Sequence, residues 1–506
     1  MLSQPQKVEE QAMRARVLLA FLTVAGFALP PAGAQTAPPR VVTTSGPVTG
    51  AVADGVEVFK GIPYAAPPVD DLRWTPPAPP KPWAADLAAS DFGPACMQPE
   101  PPHNVMPGTP SATMSEDCLT LNVWAPGATD GKAPVIVWLH GGGNVTGSSA
   151  DHYYDGGHFA RDGVVLVSLN YRLGVFGFFA HPALKEKNAN FGLLDQIAAL
   201  KWVKANIAKF GGDPGNVTLM GESAGGEDTL ALMTAPAARG LFQKAIAESA
   251  GGGWWGPTPL AEAQKQAEEV SKVAGLGDKT DAMALRALDA ATLIKSTHGG
   301  PDLVLDDALL STPPLKVFAS GKSAGIPLII GTNSGEGSLI DPDAKPTDIF
   351  PMLSPADIDK LRTIYGVDGT ALARLIFRDG YFAGPAHYVA VQQEKSGHPV
   401  FQYRFNYVLA FLQGRRPDAT HGSEIPFVFG NLPGHFPSRE DRAVSAALHQ
   451  CWVAFAKTGK PDCTAAPGWT SGSDRWMVFD TTASEQPLGS TEAMDLLQSR
   501  QTVGPQ

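Results

Sequence analysis

Ser223 sits in Gly221-Glu222-Ser223-Ala224-Gly225, a setting in which a hydroxyl can serve as the nucleophile of acyl transfer. A serine hydroxyl is a poor nucleophile near neutral pH. It needs a base to take its proton, an acid to orient that base, and N–H donors for the oxyanion that forms. Upstream, Asn216-Val217-Thr218-Leu219-Met220 is a short β-prone run; downstream, Thr229-Leu230-Ala231-Leu232-Met233 is helix-forming. A serine on a strand-to-helix turn is held on a strained corner above a sheet. The flanking glycines let strand and helix approach more closely than a Cβ permits.

The donors are expected in a glycine-rich loop after an earlier strand. His140-Gly141-Gly142-Gly143 directly follows the apolar run 133–139. The N–H groups of Gly142, Gly143 and Ala224 are the candidate oxyanion donors. A flexible turn or a phosphate nest is the alternative; no Lys-Ser/Thr follows the glycines, so a nucleotide-binding loop is not supported. With the serine on such a turn, the chain order should be Ser, then Asp/Glu, then His. His421 lies in a polar turn, 418–424, before the apolar run 425–429, with His387, His398, His435 and His449 as other late histidines. Glu336 lies in a loop after Ile329-Ile330 and is the candidate acid, beside Asp302, Asp306, Asp307 and Asp341.

These groups need a scaffold that brings distant loops together. The runs 133–139 and 163–169 are continuously apolar, as strands buried on both faces are. Residues 193–207 carry a helical period, with Leu194, Ile197, Ala198, Leu200, Trp202 and Val203 near one face. Runs 245–249 and 326–330 read as further strands, and 260–273 and 443–457 as helices. Strands alternating with helices predict an α/β fold, a mostly parallel sheet covered by helices on both faces. A 506-residue chain that is 43% hydrophobic and 18% charged supplies a large core.

A formal net charge of −11 argues against nucleic-acid or anionic-membrane partners. Residues 1–34 read as a cleavable signal peptide: Arg14 and Arg16, an apolar run over 17–29, then Ala32-Gly33-Ala34. Met13 would give a tidier start to it. The run is shorter than a membrane anchor needs. The expected organisation is therefore signal peptide 1–34 and one domain over 35–506, secreted or periplasmic, without stable membrane insertion. Four cysteines in such a chain suggest disulfides. Proximity favours Cys96–Cys118; Cys451 and Cys463 form a plausible second pair. Their spacing lacks a zinc pattern, so no metal is expected.

Several linked motifs are similar to those of the type-B carboxylesterase family, the cholinesterase-like branch of the α/β-hydrolases. They are Phe59-Lys60-Gly61-Ile62-Pro63-Tyr64-Ala65, the stretch from Ser115 to Val123, Asn170-Tyr171-Arg172-Leu173-Gly174 and Phe210-Gly211-Gly212-Asp213-Pro214. The loops Gly331-Thr332-Asn333 to Gly337 and His421-Gly422 to Gly430 complete the set, which spans about Val41 to Asp480. The resemblance implies a Ser223–Glu336–His421 triad, the oxyanion donors named above, a Cys96–Cys118 disulfide and an Arg73–Glu116 ion pair. It implies hydrolysis of small-molecule carboxylic esters through an acyl-serine, with no cofactor.

The chain departs from that pattern close to the nucleophile. Glu227 and Asp228 stand where the family has small or apolar residues, and with Glu222 they would surround Ser223 with carboxylates. They are either first-turn acids favoured by the helix dipole or substrate contacts. Asn144 follows the glycines where an aromatic is common, which suggests a less aromatic pocket wall. Asn144, Glu222, Asp228, Trp254 and Trp255 are therefore the substrate-pocket candidates. The segment before Cys118 lacks the tryptophan used by choline-hydrolysing relatives. Arg415 and Arg416 read as a solvated pair, and the sequons at Asn144 and Asn216 as buried chance matches. Two other functions stand beside this one: a binding module on the same fold, against which the complete triad argues, and amide, carbamate or thioester hydrolysis, or acyl transfer, at the same site.

Overall fold

Apolar runs bounded by glycine and proline become the strands of one sheet. The computed structural model describes residues 37–100, 113–127, 132–250, 256–277, 280–297, 303–434 and 437–501; the signal-peptide assignment over 1–34 lies outside them. The 11-stranded sheet comprises β1 (Ala51–Ala53), β2 (Val56–Pro63), β3 (Thr120–Pro126), β4 (Ala133–Leu139), β5 (Val165–Leu169), β6 (Gly212–Glu222), β7 (Lys244–Glu248), β8 (Leu328–Asn333), β9 (Val400–Phe405), β10 (Gly472–Phe479) and β11 (Ala483–Pro487). Their order is β11-β10-β9-β8-β7-β6-β4-β5-β3-β2-β1. From β5 to β10 the neighbours are parallel. Antiparallel strands close both edges.

Side chains alternate across a strand, and β4 shows the result. Val135, Val137 and Leu139 enter one core with Leu193, Leu200 and Val203 of α1 (Phe191–Asn206). Ile136 and Trp138 enter the opposite core with Leu448 and Trp452 of α3 (Arg439–Thr458). Both faces are covered, as a mainly parallel sheet of an α/β protein requires. The predicted elements recur with shifted ends. The 217–220 run extends to Gly212–Glu222, and 326–330 becomes Leu328–Asn333. Helix α1 is buried more widely than a single apolar stripe, and it buries Asp195 and Gln196 outright. Asp195 pairs with Arg172 at 2.7 Å.

Two disulfides form, Cys96–Cys118 and Cys451–Cys463. Arg73 Nε donates to Glu116 Oε2 at 2.7 Å, and the same guanidinium donates to the carbonyls of Arg286 and Leu288. Among the described residues no helix is long and apolar enough to cross a membrane.

Candidate active site

Strand β6 delivers Ser223 at its C-terminal end, directly before α2 (Ala224–Thr234). Ser223 has φ 55° and ψ −123°, a conformation that costs about 1–3 kcal/mol and persists only where the surroundings enforce it. They do so through close backbone packing. A Cβ on Gly221 would lie 2.2 Å from the Gly225 carbonyl oxygen, and one on Gly225 would lie 2.2 Å from that of Leu139. The Ser223 N–H donates to Glu248 O at 2.9 Å, anchoring the corner to the end of β7.

The candidate acid and base, Glu336 and His421, come from loops after β8 and β9 that are stitched to each other. Gly335 N donates to Ala419 O (2.7 Å), Ala419 N to Ser334 Oγ (3.0 Å) and His421 N to Ser338 Oγ (3.2 Å). Glu336 is fully buried. Its Oε1 accepts from the N–H of Asn333 at 2.7 Å and from Ser249 Oγ at 2.6 Å, and its Oε2 lies 2.6 Å from His421 Nδ1. The other ring nitrogen, Nε2, lies 3.2 Å from Glu222 Oε1, on the residue preceding the serine. The described hydrogen bonds include none between Ser223 Oγ and the ring; such contacts are often long without substrate.

The glycine loop packs on the same corner. A Cβ on Gly141 would lie 2.9 Å from Ser223 Cβ. Gly142 and Gly143 take φ of 108° and 63°, which only glycine adopts easily. A Cβ on Gly143 would meet nothing within 4 Å, so the loop is open on that side. Among the described residues no hydrogen bond takes the N–H of Gly142, Gly143 or Ala224. His140 behind the loop stacks on Tyr171 and is pushed down to about 4 by burial.

The site is strongly acidic. Burial pulls His421 down, but Glu222 and Glu336 outweigh it and hold the ring up at about 10. Burial pushes Glu222 up to about 7, with His421 opposing and Glu336 adding. Glu424 is pushed up to about 8 by burial and then by Glu222 and Glu336. Glu248 is raised well above the carboxylate range by burial, then by Glu424, while a bond from Trp452 Nε1 opposes the rise.

Sequence reasoning placed several residues otherwise. Asn144 and Asp228 do not line a pocket: they are 1% and 0% exposed, and Asn144 Nδ2 donates to Asp228 Oδ1 at 3.1 Å. Glu227 takes the first turn of α2 and Asp228 is buried, so of the three acids near Ser223 in sequence Glu222 is the one that meets the histidine. Trp254, Trp255, Asp302 and His435 lie outside the described residues. Asp306 caps the N–H groups of Ala189 and Leu309, and His449 bonds Val428 O. Arg415 and Arg416 are exposed. Asn144 is buried as expected, whereas Asn216 is half-buried.

Three groups beside the histidine were missed. Ser249 was legible: Glu-Ser-Ala-Gly-Gly occurs at 222–226 and again at 248–252. Ser249 also has a left-handed backbone, φ 43°. Glu424 accepts a bond from Asn333 Nδ2 and had no signal beyond being near His421. Phe382 packs on His421 at 5.1 Å between ring centroids. It sits in a π-helical turn, Arg378–Ala383, an irregularity that often marks functional sites.

The chain is similar over most of its length to known esterases. A family model described as "Carboxylesterase family" matches residues 37–354 and 369–501. The chain is 37% identical to the fumonisin B1 esterase of Sphingopyxis macrogoltabida, over 89% of this chain and 88% of that protein. It is 37% identical to the para-nitrobenzyl esterase of Bacillus subtilis (strain 168), over 85% and 92% respectively. Liver carboxylesterase of Sus scrofa is 33% identical over 87% and 88%. Among solved structures, a PNB esterase superposes with a TM-score of 0.82 at 34% identity, covering 90% of this chain and 99% of that one.

Proposed function

Because the chain belongs to the carboxylesterase family and is a carboxylic ester hydrolase, we propose that it cleaves esters through an acyl-serine on Ser223. His421 is the base and Glu336 the acid that orients it. Gly142, Gly143 and Ala224 supply the oxyanion donors. The observation that carries this reading is the 2.6 Å contact from Glu336 to His421 Nδ1, which leaves Nε2 facing the elbow side.

The steps follow from those positions. Substrate seats its carbonyl carbon against Ser223 Oγ, and His421 takes the hydroxyl proton as the bond to carbon forms. The carbonyl oxygen gains negative charge and is held by the three backbone N–H groups. Collapse expels the alcohol, which leaves with the proton from His421. Water then attacks the acyl-serine with the same base, and the carboxylic acid departs. Glu336 keeps the ring oriented and stabilises its cation throughout. Every step is carried by side chains and backbone N–H groups of this chain.

We also infer export through a signal peptide over residues 1–34 and a single catalytic domain over 35–506. The two disulfides support export, since such bonds persist in oxidising compartments. Turnover of p-nitrophenyl acetate by the wild type and by Ser223→Ala tests the mechanism. The substitution should lower kcat by more than about 10³-fold; an undiminished rate would overturn the reading.

A further inference from the structure

One buried carboxylate ties the glycine loop to the helix behind the nucleophile. Asp228 Oδ1 accepts from Asn144 Nδ2 at 3.1 Å, and Asp228 Oδ2 accepts from Gln196 Nε2 at 2.5 Å. Asn144 belongs to the loop that follows β4, Asp228 to α2 and Gln196 to α1. All three side chains are buried. Asn144 is held on its backbone side too: it has φ 57°, and its carbonyl accepts from the N–H of Gly174 at 2.7 Å.

Position gives this link its meaning. Asn144 is the next residue after Gly143, and Asp228 lies one helical turn beyond Ala224. The bond between them therefore spans the two elements that carry the oxyanion donors. We propose that Asn144, Asp228 and Gln196 are positioning residues that set the spacing of the Gly142 and Gly143 N–H groups against that of Ala224. This inference rests on the oxyanion assignment above.

The choice of side chains favours positioning over simple filling. A buried carboxylate is costly unless its oxygens are hydrogen-bonded, and an apolar side chain would fill the space without that cost. Here the two carboxylate oxygens select the N–H₂ end of each amide, and Asn144 Oδ1 and Gln196 Oε1 are left without a partner. Asp228 therefore fixes which way both neighbours point. The structure joins Asn144 and Asp228 into a single feature. Errors of about 1 Å in such a site can cost 10²-fold in rate.

The test measures kcat, KM and the inhibition constant of a trifluoromethyl ketone, which adds to the serine and mimics the oxyanion. The proteins are wild type, Asp228→Ala, Asp228→Asn, Asn144→Gly and the double variant Asn144→Gly/Asp228→Ala. Asp228→Ala should lower kcat about 10- to 100-fold with KM within about 3-fold, and weaken the ketone by the same factor. Asp228→Asn should recover most of that loss once one neighbouring amide turns its oxygen inward. The double variant should cost no more than the worse single one. Should Asp228→Ala fail to fold, Asn144→Gly carries the same kcat and ketone readings. Wild-type-like kcat and ketone affinity in a folded Asp228→Ala or Asn144→Gly overturns the inference, as does a loss confined to KM. Ser223→Ala run alongside separates the cases: if it retains activity, the acyl-serine reading has failed rather than this one.

Discussion

Ser223 and Ser249 occupy equivalent places on neighbouring strands. Each follows one of two register-paired glutamates, Glu222 and Glu248, and each is turned into the left-handed region, with φ of 55° and 43°. One presents its hydroxyl at the elbow; the other donates to Glu336 at 2.6 Å.

Ser249→Ala removes that donor and leaves Glu336 Oε1 with the Asn333 N–H alone. A hydrogen bond to a charged group is worth about 1.5–3 kcal/mol. Because Glu336 orients His421, kcat should fall about 10-fold with KM nearly unchanged. Steady-state kinetics on p-nitrophenyl esters check it, and an unaltered kcat would count against the assigned role.

Glu222→Gln removes the negative charge that gives His421 its largest single upward push. Activity requires the neutral ring as base, so rate grows as pH rises through the pKa of the ring. Losing a negative neighbour lowers that pKa. The acid limb of the kcat/KM profile should move to lower pH, and an unmoved or upward-shifted limb would refute the coupling.

Gly225→Ala places a Cβ 2.2 Å from the Leu139 carbonyl oxygen, a backbone atom that cannot rotate away. Overpacking of this kind typically costs about 1–3 kcal/mol, and here it pushes α2 away from β4. A lower thermal unfolding midpoint together with lost turnover is expected. Full stability and activity would mean the elbow is looser than described.

Replacing Cys96 and Cys118 by serine opens a loop with a sequence separation of 22. Chain-entropy arguments put the cost at about 3 kcal/mol. Denaturant titration of the non-reducing wild type and the variant measures it.

Much of the candidate site was readable in the chain. Ser223, Glu336 and His421 each sit in a short loop next to an apolar run, and their order matches what a strand-to-helix nucleophile requires. Strands β4 and β5 announce themselves because both faces are buried, leaving no polar alternation. What escaped were partnerships between distant buried polar groups. Asn144 and Asp228 are 84 residues apart, and no local periodicity says that one amide will meet one carboxylate. Burial of Asn144 was legible from its setting, but nothing local named a carboxylate as its partner, since a charged side chain taken singly is cheapest in water. Phe382 escaped for another reason: it depends on a π-helical turn, a break in the period from which sequence patterns are read.

The stitching of the acid and histidine loops has a consequence for the newly made chain. Ser223 emerges from the ribosome about 200 residues before His421, an interval of about 10–40 s at about 5–20 residues per second. Through that interval the elbow strand exists without Glu336 or its partner loop. On the proposed triad the growing polypeptide gains its base only once most of it has been made, and shortened products ending before residue 421 should be inert toward esters.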